Sequence, residues 1–265
     1  MILRYSEWLT LGFFSWLVAA TGLRPFPRER RLQVAIGGSL IAAAVVAVAR
    51  FGPASMRDWM PALYILLGYF LSGRLFFSPS LGFEAWLADW DRRTLGDPTT
   101  RFASWPPAIL VYLDIVYVGC PLLVPGGFAY LAWTGHAALA DRYWTMVAAA
   151  DFGAFAPLAL AQARPPWALE RAAAFRGRAV HRFASGFVRH ATIGANTFPS
   201  GHVAVSLAVS LAVMAAEPAA GVVLLILTAS IAVACVVGRY HYVVDVVTGT
   251  ALALLMWGAV AALGI

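Results

Sequence analysis

Val222–Val237 reads VVLLILTASIAVACVV, a run without a single charge. After the short polar stretch GRYHY at Gly238–Tyr242 the chain returns to apolar character in Val243–Ile265, VVDVVTGTALALLMWGAVAALGI. A helix needs roughly twenty apolar residues to cross a bilayer. Hydrocarbon offers backbone groups no partner outside the segment itself, so such runs are helical. Working outward, six further runs share this character: Trp8–Leu23, Leu32–Ala49, Trp59–Phe77, Ala108–Trp133, Tyr143–Ala163 and Phe198–Ala216. The pattern predicts an all-α, polytopic membrane helix bundle of about eight transmembrane helices. The run at Ala108–Trp133 is too long for one straight span and contains Pro121, Pro125, Gly126 and Gly127, so a kinked helix is expected there. The first run lacks a small-residue cleavage site and reads as a retained helix rather than a signal peptide. No repeat of roughly 20–50 residues is visible.

Composition agrees. Of the 265 residues, 61% are hydrophobic and 12% charged, whereas a soluble globule is about half apolar and about a quarter charged. The excess can only face lipid, which excludes soluble enzymes, disordered tails and nucleic-acid binders. The chain has no lysine; its charge of +6 comes from 19 Arg against 13 acids. These Arg sit in short loops between apolar runs, where membrane lipid phosphates, not nucleic acid, are the expected partners. Cys120 and Cys235 lie inside apolar segments and read as small buried residues, with no disulfide framework and no metal spacing.

Between the third and fourth runs lies Ser80–Asp97, SLGFEAWLADWDRRTLGD. Phe83, Trp86, Leu87 and Trp90 share one helical face, with Glu84, Asp91, Arg92 and Arg93 largely elsewhere. That predicts a helix lying in the membrane interface, aromatic side down. A solvated turn with scattered aromatics is the competing reading.

Three polar islands interrupt the second half: Arg164-Pro165-Pro166-Trp167, then Asn196 to His202, then Gly238 to Asp245. The first two share one loop, and two crossings bring the third back to the same membrane face. Pro199 suits a first helical turn, so the amides of Ser200, Gly201 and His202 would lie at a helix start, where an anion is favoured. His241 and Asp245, four apart, share a face if the last helix begins near His241. Asp245 could then orient one imidazole nitrogen and leave the other basic. Arg164 and Arg239 offer forked donors for phosphate oxygens. The chemistry this suits is phosphoryl transfer, with His241 as nucleophile and His202 as acid. Deeper in the membrane, Asp114 could contact a headgroup, near Tyr117, or pair with Arg74. Asp151 reads as an interhelical hydrogen bonder too far from the site to act there. His181 and His190 read as solvated.

The islands resemble the type 2 phosphatidic acid phosphatase superfamily, whose pattern is Lys-x6-Arg-Pro, Pro-Ser-Gly-His and Ser-Arg-x5-His-x3-Asp. Pro199–His202 carries the second element in full, and His241 with Asp245 carries the end of the third. The family Lys falls on Pro157 and the family Arg of the third element on Cys235, with Arg239 the nearest substitute. Arg-Pro-Pro-Trp, Phe-Pro-Ser-Gly-His and His-Tyr-Val-Val-Asp-Val look most like the inositol phosphorylceramide synthase and sphingomyelin synthase branch. The resemblance covers about Trp59–Ile265. It implies residues 1–57 as a helix pair outside the family core and residues 58–265 as a six-helix lipid phosphatase or phosphotransferase core. It implies an enzyme acting on a lipid phosphate or phospholipid without metal or other cofactor. His241 would form a phosphohistidine, Asp245 would hold its tautomer, and His202 would protonate the leaving oxygen. Ser200, the Gly201 amide, Arg164 and Arg239 would bind phosphate. A lipid alcohol acceptor, as in that branch, and a non-catalytic protein that binds anionic lipids are the alternatives.

Two warrants bear on orientation. Loops on the site side hold fifteen of the 19 Arg, so the positive-inside rule puts the site in the cytoplasm. The resemblance points outward, because most relatives work on the extracytoplasmic face. The expectation adopted is a multi-pass protein of a bacterial cytoplasmic membrane whose site faces the cytoplasm.

Overall fold

A computed structural model of the chain describes residues 2–169 and 192–264. Each predicted run contains a helix: α1 Tyr5–Ala20, α2 Arg28–Phe51, α3 Ala54–Ser72, α6 Pro107–Gly119 continuing as α7 Leu123–Trp133, α8 Ala140–Phe155, α10 Gly201–Met214, α11 Pro218–Val237 and α12 Val243–Ala262. Between α3 and α6 lie α4 Leu81–Leu95 and the short α5 Pro98–Ala103; α9 Pro166–Leu169 precedes α10. The fold is an all-α membrane bundle, with no strand among the described residues. Proline opens α5, α6 and α11, where a missing N–H costs nothing. The kink in the long run is a 3₁₀ turn at Cys120–Leu122 holding Pro121.

By length and apolarity α2, α6–α7, α11 and α12 are each sufficient to span a bilayer, and at most a third of each apolar window is buried. Their outer faces carry exposed Leu40, Ile226, Val223 and Leu255. By contrast α8 and α10 are buried almost all round and pack against each other at the centre. A helix apolar on every side belongs inside such a bundle. The N-terminal pair is tied to this centre: Phe13 stacks on Phe152 at 4.1 Å, and Trp16 Nε1 donates to the Ala156 carbonyl at 2.9 Å. At the end away from the site, Arg57 pairs with Glu7 and Arg4 with Asp58, each at 2.7 Å.

Two close approaches shape the site end. Gly249 of α12 lies against the start of α10, where a Cβ would stand 2.7 Å from the Ser200 carbonyl oxygen. Gln162, fully buried, accepts from the amides of Phe77 and Ser78 and donates to the Leu75 carbonyl, which anchors the α3–α4 connection beside the site.

Helix α4 takes the interfacial place with its faces partly exchanged. Phe83, Trp86 and Trp90 form a row with Phe198, at centroid distances of 5.4–6.2 Å, and Trp86 and Trp90 remain exposed. Leu87 is buried beneath Phe83 and Phe198, and the same inner side carries Glu84 and Asp91, whose carboxylates meet Arg164 and Arg239.

Candidate active site

Loop 238–242 folds back over the end of α11. The amides of Tyr240 and His241 both donate to the Cys235 carbonyl at 2.9 Å, and Arg239 takes the left-handed conformation, φ 59°. A non-glycine residue held there costs free energy, so its neighbours must fix it. They do. The Arg239 carbonyl accepts from Trp167 N at 3.0 Å, and its guanidinium Nη1 lies 2.9 Å from Asp91 Oδ2.

Helix α12 begins just beyond His241, with Tyr242 as its cap. Asp245, in the first turn, accepts from the Tyr242 amide at 2.8 Å. The same Oδ2 stands 3.5 Å from His241 Nδ1, an ion-pair distance at the outer edge of hydrogen bonding. Both side chains are buried. With Nδ1 turned to Asp245, Nε2 is the imidazole nitrogen left for a ligand.

Helix α10 starts at Gly201, so Pro199 precedes its first turn instead of lying in it. Ser200 is the cap: its backbone is extended and its hydroxyl accepts from Val203 N at 3.5 Å. Ser200 N donates to the Asp245 carbonyl at 3.0 Å, and Gly201 N donates to Thr197 Oγ1 at 3.2 Å. The His202 ring stacks on Tyr117 at 4.4 Å, and Tyr117 stacks on Tyr240 at 3.7 Å. Tyr240 in turn donates to Asp114 Oδ1 at 2.9 Å. His202 and His241 face each other with centroids 5.7 Å apart.

Gly201, His202, His241 and Tyr117 thus line one cavity of about 560 Å³. Its other walls come mainly from α3 and the α6–α7 kink, and are apolar. Leu63, Leu66 and Phe70 of α3 line it and are also exposed, so it opens sideways towards lipid. Asp245 and Ser200 stand behind this wall, as does Asp114.

The two arginines are held off the wall by α4. Arg164 forms a forked pair with Glu84, Nε to Oε1 at 2.9 Å and Nη2 to Oε2 at 2.8 Å, and its amide adds a third bond to Oε1. Hydrogen bonds from Arg164 hold the Glu84 carboxyl below its ordinary range. Asp91 differs: burial pushes its carboxyl up, against the opposing pull of the Val243 amide and Arg239. Its Oδ1 accepts from Val243 N at 2.8 Å, so Asp91 also caps the helix that carries Asp245.

The PAP2 superfamily model matches residues 85–259. The chain belongs to the PAP2 superfamily. Membership supports a phosphatase-type activity on lipid phosphates. The match begins on α4, so α3, which the sequence resemblance took in, lies outside it along with α1 and α2. No curated protein and no solved structure matches this PAP2 superfamily chain.

One expectation is corrected. Asp151 is not remote: it lines the same cavity, and a Cβ on Gly201 would lie 3.5 Å from its Oδ1. Its separation from Arg164 along the chain is no guide to distance, because α8 gives way to a 3₁₀ turn at Ala156–Ala159 before the loop that carries Arg164. Glu84 and Asp91 were missed as partners of Arg164 and Arg239. Their seven-residue spacing, which puts both on one helical face, was the available signal. His181 and His190 lie outside the described residues.

Proposed function

We propose that the protein is a lipid phosphate phosphatase or phosphotransferase working through a phosphohistidine. The observation that carries the reading is the meeting of His241, backed by Asp245, with His202 at the head of an apolar cavity open to lipid. His241 Nε2 attacks phosphorus, the P–O ester bond breaks, and His202 gives its proton to the departing alkoxide. Water, or a lipid alcohol, then attacks the phosphohistidine while His202 takes that nucleophile's proton. Ser200, the Gly201 and His202 amides, Arg164 and Arg239 form the phosphate end of this proposal. The His202 amide has no partner among the described residues and supports it most directly. Arg164 joins when phosphate competes with Glu84, and Arg239 contributes its charge while still paired with Asp91. The acyl chains lie along α3, and no step calls on a metal, so excess chelator leaves the rate unchanged.

The resemblance of the motifs to the phosphorylceramide synthase branch supports an alcohol acceptor as the second reading. The test is a ³²P-labelled lipid phosphate presented in detergent micelles. Wild type should turn it over, and His241→Ala should insert normally and be inactive. His202→Ala should accumulate acid-labile label when the leaving group is a good one. Equal turnover by wild type and His241→Ala would falsify the assignment.

A further inference from the structure

The cavity holds one ionisable group that the proposed chemistry does not use. Asp151 is 6% exposed, faces the cavity next to Gly201 and Phe155, and has no hydrogen bond or ion pair among the described residues. Every other buried carboxylate in the neighbourhood is engaged: Glu84 by Arg164, Asp91 by Arg239, Asp114 by Tyr240 and Asp245 by Tyr242. An unpartnered carboxyl at membrane depth is expensive, and its usual reason to exist is a ligand.

Its position says which part of a ligand it meets. Asp151 sits beside Gly201, on the wall that continues from His202 towards Phe155, Cys120 and the α3 face. A phosphate at His241 puts the ester oxygen near His202 and the next atoms of the lipid backbone near Asp151. The remaining wall is hydrocarbon, suited to chains. Building on the proposed function, we infer that Asp151 is a specificity-determining residue that reads a hydrogen-bond donor on the lipid backbone adjacent to the phosphate ester. The donor is a hydroxyl or an ammonium group, and both are single-carbon neighbours of the ester in common lipid phosphates. A site built around such an acceptor rejects a lipid that lacks the donor, because the carboxyl then stays unpaired.

Three probes, each with a single eighteen-carbon chain, separate these cases: octadecenyl phosphate, with no donor; oleoyl lysophosphatidate, with a hydroxyl; and sphingosine 1-phosphate, with both groups. Binding is read on His241→Ala protein, so that turnover does not consume the lipid. Wild-type turnover of the same probes tests the proposed function separately, and its failure leaves the binding result standing. The expected result is that the donor-bearing lipids bind about tenfold or more tightly than octadecenyl phosphate. Adding Asp151→Leu should bring all three to the same affinity by weakening only the donor-bearing pair, and should raise thermal stability. Further tightening by sphingosine 1-phosphate that is lost in Asp151→Asn identifies the ammonium as the group read; equal binding of the two donor lipids identifies the hydroxyl. Asp151→Ala is titrated in parallel and decides the matter should the leucine protein not fold. An unchanged preference in either folded variant, or equal weakening of all three probes, overturns the inference.

Discussion

Asp91 and Arg239 lie 2.9 Å apart, both nearly inaccessible to solvent, and join α4 to the loop that presents His241. Because Asp91 also caps α12, one carboxylate fixes the residues on both sides of His241. Removing one partner of a buried pair costs about 3–5 kcal/mol. Asp91→Asn should therefore lower the melting temperature and cut kcat by at least about tenfold through lost positioning. The sign of its pH dependence follows from burial, which raises the Asp91 carboxyl. The folded protein then takes up this proton before the unfolded chain does, so the group's contribution to stability falls as pH rises through the raised value. Activity runs the other way, because the pair with Arg239 exists only above that value. A kcat/KM profile should show an acid limb in wild type that is missing in Asp91→Asn. The same limb in both proteins assigns it elsewhere.

On the proposed reading Glu84 competes with phosphate for Arg164. Arg164 is 39% exposed at its side chain while Glu84 is buried, so the guanidinium is free to swing and the carboxylate is not. Glu84→Gln should release it, and inorganic phosphate should inhibit the variant about three- to tenfold more strongly. Acidification should do the same only below the usual carboxylate range, since Arg164 holds the Glu84 carboxyl down. Product-inhibition constants measured at neutral pH decide this, and unchanged inhibition would assign Arg164 a purely structural role.

Tyr117 supports His202 by its ring alone. It is sandwiched between His202 and Tyr240, and no hydrogen bond fixes its hydroxyl among the described residues. Tyr117→Phe should keep near-wild-type kcat, and Tyr117→Ala should lose about tenfold or more, with KM moving less. Steady-state kinetics on a lipid phosphate separate the two, and a phenylalanine variant as poor as alanine would mean that the hydroxyl matters.

Orientation is open to a single labelling experiment. Ser104, exposed in the connection from α5 to α6, lies on the Arg-rich side. On a background lacking Cys120 and Cys235, Ser104→Cys should resist an impermeant maleimide in intact cells and react after lysis. Labelling of intact cells places the site outside and defeats the charge count.

Much of the bundle was legible because lipid imposes one rule on every span, and runs such as Val222–Val237 obey it without exception. The meeting of His202 with His241 was legible too, because parity of crossings puts their islands on one face. Asp151 was not, since a helix position says nothing of how a following 3₁₀ turn and return fold a cavity beside it. Nor was the inward turn of Glu84 and Asp91. The aromatic row on α4 reads as the side that faces the membrane interface, and the carboxylates that meet arginine are recognisable only once Arg164 and Arg239 are in place.

Helix α4 has a consequence that is mechanical. Its outer rings, Trp86 and Trp90, are the kind of side chain that seeks a fixed depth at the water–lipid boundary. Its inner carboxylates grip Arg164 and Arg239. On the proposed reading, a bilayer that thickens or thins moves that boundary against the spans, and α4 should pass the displacement on to both arginines of the phosphate end. Rates in vesicles of graded acyl length should then pass through an optimum. A flat response across thickness would leave α4 a passive brace.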